Sequence, residues 1–304
     1  MATALALAPV QERPKHRQPP TEEPAMSTST VEYENRIVVF LDFLGFKDHI
    51  ERSITDPAHA TRIARAFETI REFTVPEERW PNREVTQFSD CVVVSYSAVE
   101  QSAVFDLLLT ILLLQVELAG RGFLVRGGIT VGPLVHQAGF VFGPAMVEAH
   151  RLESNDAIYP RILVDPELVN IARDYPALHH SGNDEARYAE EFLTEDPDGK
   201  HYLEYISWDA VVEGAGADSD DGPGYMLALS RILKRGLASD DPRVLTKMLW
   251  LHREYRAALD HFFVPPRPPE VIARDPEYYD ALTDLPRLDA EAAAAVSKDA
   301  ASTT

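Results

Sequence analysis

Ile37-Val38-Val39-Phe40-Leu41-Asp42-Phe43-Leu44-Gly45-Phe46 reads as a strand, a charge and a corner. The run Ile37 to Phe43 is too apolar and β-branched for a surface strand, which would alternate. It suits a central strand covered on both faces. Asp42 stands near its end, where a carboxylate is costly unless it is paired or holds a metal. Gly45 ends the strand, and the Phe43-Leu44-Gly45-Phe46 corner lets backbone N–H groups approach phosphate oxygens at a helix N-terminus. An aspartate-nucleophile phosphatase would carry a second acid two residues after the first, but that position is Leu44.

Outward from this strand, Ile63, Phe67 and Ile70 recur at helical spacing over Thr61 to Phe73, with Asp56-Pro57 as a start signal. Glu84 to Gln87 and Cys91 to Ser95 flank Phe88-Ser89-Asp90, a hairpin with an acid at its tip. Ser102 to Leu118 reads as a long helix. Phe123 to Val131 and Leu134 to Val141 read as two strands with glycines at the joints, and Gly143 opens a helix to Ser154. Ile162 to Val164 makes one more strand before Asp165-Pro166 starts another helix. The order β-α-β-β-α-β predicts an α+β fold with a ferredoxin-like, split βαβ core. Tyr188 to Leu193 and His201 to Ile206, around the turn Asp196 to Lys200, predict a further hairpin. Glu213 to Gly224 reads as a loop, and Tyr225 to Leu237 and Pro242 to Phe262 as a helical pair.

The boundaries expected are a disordered tail over 1–33, with Met26 a candidate start, a catalytic domain over 34–210, a helical extension over 211–264 and a Pro/Ala-rich acidic tail over 265–304, mobile after Pro286. The 29 basic and 49 acidic residues leave a net charge of −20, against a broad nucleic-acid or membrane-surface binder. The single cysteine, Cys91, can form neither an internal disulfide nor a multi-thiolate metal site, and the cytoplasm is the expected compartment. The apolar stretch Leu107 to Val116 is shorter than the ~18 residues of a spanning helix.

In a split βαβ sheet the hairpin bearing Asp90 lies beside the first strand. Asp42 and Asp90 then meet at one end of adjacent strands as an all-oxygen site for Mg²⁺ or Mn²⁺. Taken singly, Asp90 reads more readily as a turn residue than as a ligand and Asp42 reads as an arginine's partner, whereas the pair in this context favours the metal site. His136, His150, His179 and His180 show no ligand spacing and read as surface or loop residues. Cys91 is expected to face the core, Lys200 to be a solvated turn residue, and Tyr278-Tyr279 to pack the tail onto the body or a partner.

Three ordered blocks carry a family resemblance: Phe40 to Phe46 (FLDFLGF), Phe88 to Asp90 (FSD) and Leu124 to Ser154 (LVRGGITVGPLVHQAGFVFGPAMVEAHRLES). Together they resemble the class III nucleotidyl cyclase core. The resemblance implies that Asp42 and Asp90 bind two divalent cations, with the Phe43 carbonyl completing one site. It further implies that amides of Leu44, Gly45 and Phe46 hold the terminal phosphates, and that Arg151 stabilises the transition state across the interface of a homodimer with composite sites. Arg126 takes the family's strand arginine, with a structural role as open as a phosphate contact. Three departures matter. Val147 replaces the ribose-contacting asparagine, and Thr86 and Phe140 replace the charged residues that read purines. This pattern most resembles the bacterial pyrimidine cyclases of the Pycsar anti-phage systems. The activity expected from it is conversion of UTP to cyclic UMP for a downstream sensing effector. A cytidylate cyclase, a purine cyclase with altered contacts and a catalytically silent nucleotide-binding module stay open.

Overall fold

The computed structural model describes residues 31–74, 80–137, 139–263 and 268–302. In chain order the elements of the first half are β1 (Glu34–Phe43), α1 (Phe46–Thr55), α2 (Pro57–Thr74), β2 (Glu84–Phe88), β3 (Cys91–Ser97), α3 (Ala103–Gly120), β4 (Val125–Gln137), β5 (Phe140–Phe142) and α4 (Pro144–Arg151). A π-helical turn (Leu152–Asp156) leads to β6 (Ile162–Val164), α5 (Glu167–Asp174), α6 (Gly182–Glu191), β7 (Leu193–Glu195) and β8 (His201–Leu203). Then come α7 (Trp208–Ala215), α8 (Gly222–Leu237), α9 (Pro242–His261), α10 (Pro269–Ile272), α11 (Pro276–Thr283) and α12 (Asp289–Ser302).

The sheet order is β2-β3-β1-β4-β6-β8-β7, with β5 paired to the far end of β4. Among the described residues only the β4–β6 pair is parallel, so the architecture is α+β, as the element order predicts. β1 is central and buried on both faces. Ile37, Val39, Leu41 and Phe43 enter the main core, while Val38 and Phe40 join a smaller cluster with Val93, Leu134, Ala145 and Ala149 under α4. That double burial is why the strand shows no alternation. Gly128 lets α4 close on the sheet: a Cβ there would sit 2.5 Å from the Leu152 Cβ and 2.6 Å from the Ala149 carbonyl oxygen.

Several expectations need correction. The two strands expected over 123–141 are largely one, β4, because Gly132 and Pro133 stay in the ladder opposite Arg36 and Asn35. Most of Tyr188 to Leu193 belongs to α6, whose start is fixed by a Ser181–Asp184 capping box and whose Ala186 and Ala189 are buried at helical spacing. The loop expected after Glu213 begins inside α7, which is anchored by buried Trp208 and Val211. The chain after Pro286 is not loose: α12 packs on α9 with Ala292 and Ala295 buried, and Arg256 Nε lies 3.1 Å from Asp289 Oδ1. Small alanines permit that close helix approach. Residues 1–30 of the expected N-terminal tail lie outside the described residues.

α3 is longer than its uninterrupted apolar stretch. At 18 residues it is long and apolar enough to cross a membrane by length and composition, but 56% of it is buried inside the protein, where Leu107, Leu108 and Ile111 fill the core. The C-terminal helices are tied to the sheet by a buried ion cluster. Arg161, fully buried, pairs with Asp196 and with Asp198 (2.6 Å), and Asp196 also accepts from Trp250 Nε1 (2.6 Å) and Arg253 Nη2 (2.7 Å) on α9. The charges satisfy one another, which such burial requires.

Candidate active site

Asp42 lies opposite Cys91 of β3 and Arg126 of β4 in the antiparallel ladders, so three strands aim these side chains at one spot. Asp90 occupies the two-residue turn between β2 and β3, made possible by Ser89 at φ 52°. Ligand atoms of Asp42, Asp90 and Cys91 all lie within 4.8 Å of one another. The expected meeting of the two carboxylates is therefore what the fold produces. Cys91, expected in the core, instead joins the site, its Sγ donating to Asp42 Oδ1 over 3.6 Å. Alternation from Asp90 does not apply, because Asp90 sits in the turn and not in the strand.

The electrostatics fit a cation. Burial raises the Asp42 carboxyl above its ordinary range, Arg126 opposes this, and the neighbouring Asp90 adds to it. Burial also pushes the Cys91 thiol up to about 12, with Asp42 and Asp90 adding, so it stays a neutral donor. Two carboxylates beside a protonated thiol make a hard oxygen set suited to Mg²⁺ or Mn²⁺.

Sequence reasoning passed over Glu153. The π-helical turn after α4 carries it into the protein, where its side chain is 4% exposed and its Oε1 lies 2.7 Å from Arg126 Nη2. Burial first, against the pull of Arg126, and then the charge of Asp42 place it at about 7. Widened helical turns of this kind cluster at functional sites, the one local signal available.

At the corner, Gly45 adopts a left-handed conformation, φ 69°, and caps α1. The Phe43 and Phe46 rings pack with Phe67, with centroids 5.8 to 5.9 Å apart, so these residues offer a ligand only their backbone. Leu44 needs correction as a phosphate donor, because its amide already donates to the Leu124 carbonyl over 2.9 Å. The amides of Gly45 and Phe46 have no such acceptor among the described residues. Leu44 and Gly45 line a cleft of about 400 Å³ to which α8 contributes Arg235, the α8–α9 connection Ser239 and α9 Lys247. Lys247 is held below its ordinary range by burial and by the nearby Arg126 and Arg243 charges.

Arg151 is not brought to Asp42. It stands exposed on α4, its guanidinium on Glu148 (2.7 and 2.9 Å) and Asp156 (2.7 Å), with Lys200 also reaching Asp156 at 3.4 Å. Lys200 is thus an ion-pair partner and not a simple solvated turn residue. Val147, one turn before Arg151 on the same face, is 70% exposed.

Thr86 is not an open base reader. It is buried, and its hydroxyl contacts His136 Nε2 at 2.8 Å, while His136 Nδ1 contacts Ser95 Oγ at 2.8 Å and Ser95 accepts from Arg36 Nε at 2.9 Å. β4 outruns β1 and reaches back, so that His136, expected at the surface, is 5% exposed and held down to about 4 by burial and by Arg36. Arg36 can only donate, so Ser95 Oγ accepts from it, and the His136 tautomer sets the direction of the two remaining contacts, which engage the Thr86 hydroxyl with the ring. Phe140 is exposed on β5, stacked near Phe142 at 6.1 Å, and Phe142 meets Tyr33 at 6.0 Å.

No family model matches the chain, and no curated protein matches it. Among solved structures, the chain is similar to the adenylyl cyclase CyaB from P. aeruginosa, at 14% identity and TM-score 0.38, over 47% of this chain and 82% of that one. It is also similar to the catalytic core of a rhodopsin–guanylyl cyclase with converted specificity in complex with ATPαS, at 18% identity and TM-score 0.39, over 57% and 96% of the two chains. A bacterial light-regulated adenylyl cyclase matches at 13% identity and TM-score 0.37, over 60% and 99%.

Proposed function

We propose that this protein is a class III nucleotide cyclase that converts UTP to 3′,5′-cyclic UMP and pyrophosphate. The observation that carries the reading is the convergence of Asp42 and Asp90 beside a glycine corner with unengaged amides, in the motif order of that family. Asp42 and Asp90 hold the divalent ions, with Glu153 close enough to tune their charge. When bound, those ions neutralise the triphosphate and lower the pKa of the ribose 3′-hydroxyl. Gly45 and Phe46 amides hold the terminal phosphates, and Lys247 adds a cation from α9. The 3′-hydroxyl releases its proton to water, its oxygen attacks the α-phosphorus in line, and the bond from that phosphorus to the pyrophosphate oxygen breaks.

Arg151 supplies the charge that stabilises the α-phosphate in the transition state. It faces solvent and touches none of the corner residues, so it acts on the site of a second copy in a head-to-tail dimer. Phe140 offers a ring for a single-ring base. The product is read as a signal by a separate effector in anti-phage defence. Incubating the full chain with UTP and Mn²⁺ and analysing the products tests the reading; unconverted UTP would leave a silent nucleotide-binding module.

A further inference from the structure

Adjoining the cleft at Leu44 and Gly45 lies a second, smaller pocket of about 150 Å³. Its rim carries Arg52, Arg62, Arg121 and Arg235 against the single acid Asp48, a local balance of +3 on a chain of net charge −20. Arg52 and Arg121 each have one surface carboxylate, Asp56 at 3.5 Å and Glu117 at 3.1 Å. Arg62 and Arg235 have no carboxylate partner among the described residues, and the charges acting on Arg235 are those of Arg52 and Arg62.

The floor is built as well. His49 and His59 stack 5.1 Å apart at an interplanar angle of 8°, and His49 rests on buried Phe123 at 4.8 Å. Arg62 Nη2 meets His59 Nδ1 at 2.6 Å, and His59 Nε2 meets His49 Nδ1 at 3.0 Å. Arg62 can only donate, so His59 carries its proton on Nε2 and gives it to His49, whose own proton is then on Nε2. Burial, with His59 and Arg235 acting on His49 and Arg62 and Arg52 acting on His59, holds both rings below the usual histidine range. The histidine pair turns its acceptors inward, and four guanidiniums and one imidazole N–H line one small space beside the single carboxylate of Asp48.

We propose that this pocket binds a phosphate-type oxyanion. Guanidinium forks match phosphate geometry, and four arginines, two of them without a carboxylate partner among the described residues, favour a multiply charged anion. The volume lies below the roughly 300–1,000 Å³ of pockets that enclose whole organic ligands, so the ligand is a compact ion and not a nucleotide. The pocket shares Asp48, His49, Gly122 and Arg235 with the cleft at Leu44 and Gly45. Pyrophosphate leaving that corner and free orthophosphate are the two sources of such an ion. The proposal stands apart from the cyclase reading, since Asp42, Asp90 and Arg151 take no part in the pocket.

Titration calorimetry of the full chain in EDTA, with pyrophosphate and with orthophosphate, tests it. The expected result is saturable binding that is unchanged in Asp42→Asn and weakened at least tenfold in Arg62→Gln/Arg121→Gln, with both variants unfolding at the wild-type temperature when no anion is present. Tighter binding of pyrophosphate assigns the pocket to that product, and tighter binding of orthophosphate to the free ion. Absence of binding of either, retention of full affinity by the double arginine variant, or loss of binding in Asp42→Asn would overturn the proposal.

Discussion

Arg126 closes on Asp42 from the neighbouring strand: the two are register partners across β1 and β4, and Arg126 Nη2 lies 3.4 Å from Asp42 Oδ2. The same nitrogen lies 2.7 Å from Glu153 Oε1. One guanidinium therefore balances two acids at the end of the central strand, and Asp90 adds a third charge that it does not reach.

Loss of that clustered charge should cost catalysis and not the fold. Asp42→Ala and Asp90→Ala should each lower turnover by about a thousandfold or more, the several kcal/mol that metal-assisted charge stabilisation supplies. Circular dichroism and melting should stay near wild type, because a half-buried carboxylate raised by burial contributes little to stability. Wild-type activity in either variant would contradict the metal assignment.

Arg151 gives a test of assembly. Inactive Asp42→Ala mixed equally with inactive Arg151→Ala should recover about a quarter of wild-type turnover after subunit exchange, since half the dimers are mixed and half of their sites are intact. No recovery, with exchange verified, would place the arginine's action within its own chain.

Gly128 tests the packing of α4 on β4. An added methyl group would meet Leu152 and Ala149 at 2.5 to 2.6 Å, so Gly128→Ala should destabilise the protein by about 1–3 kcal/mol. Denaturant melts measure it, and an unchanged midpoint would show that the helix can lift.

His136 predicts a pH dependence. Its folded pKa, about 4, lies below the ordinary 6.5, so between these values the unfolded chain binds more protons. Stability contributed by the neutral ring is complete above pH 6.5 and is lost as pH falls towards 4, by about 1–3 kcal/mol for a buried group shifted this far. His136→Gln should flatten that part of the stability profile, and an unaltered slope would mean that other groups set it.

The central strand was legible because burial on both faces suppresses alternation, and Asp42 was legible because it breaks that run. The hairpin at Asp90 and the helix opened by Gly143 followed from turn chemistry. What the sequence hides are properties of the ladder. That Leu44 spends its amide on Leu124, that Cys91 faces Asp42, and that β4 reaches back to seat His136 on Thr86 all depend on register, which no local pattern prints. Glu153 was hidden by a single extra residue in a helical turn. The α12 contact was hidden because alanine-rich composition reads alike in a loose tail and in a tightly packed helix.

Initial rates with UTP, CTP, ATP and GTP, each with Mn²⁺ and each product identified, test the central claim most directly. In the proposed reading no charged pair stands at positions Thr86 and Phe140 to recognise a purine, and an adenine amino group left unpaired costs ~1–3 kcal/mol. Cyclic UMP and pyrophosphate should therefore form at least tenfold faster than any product of ATP, a ratio of about 1.4 kcal/mol. Faster turnover of ATP or GTP would contradict the pyrimidine assignment, and no cyclic product from any of the four would contradict the cyclase itself.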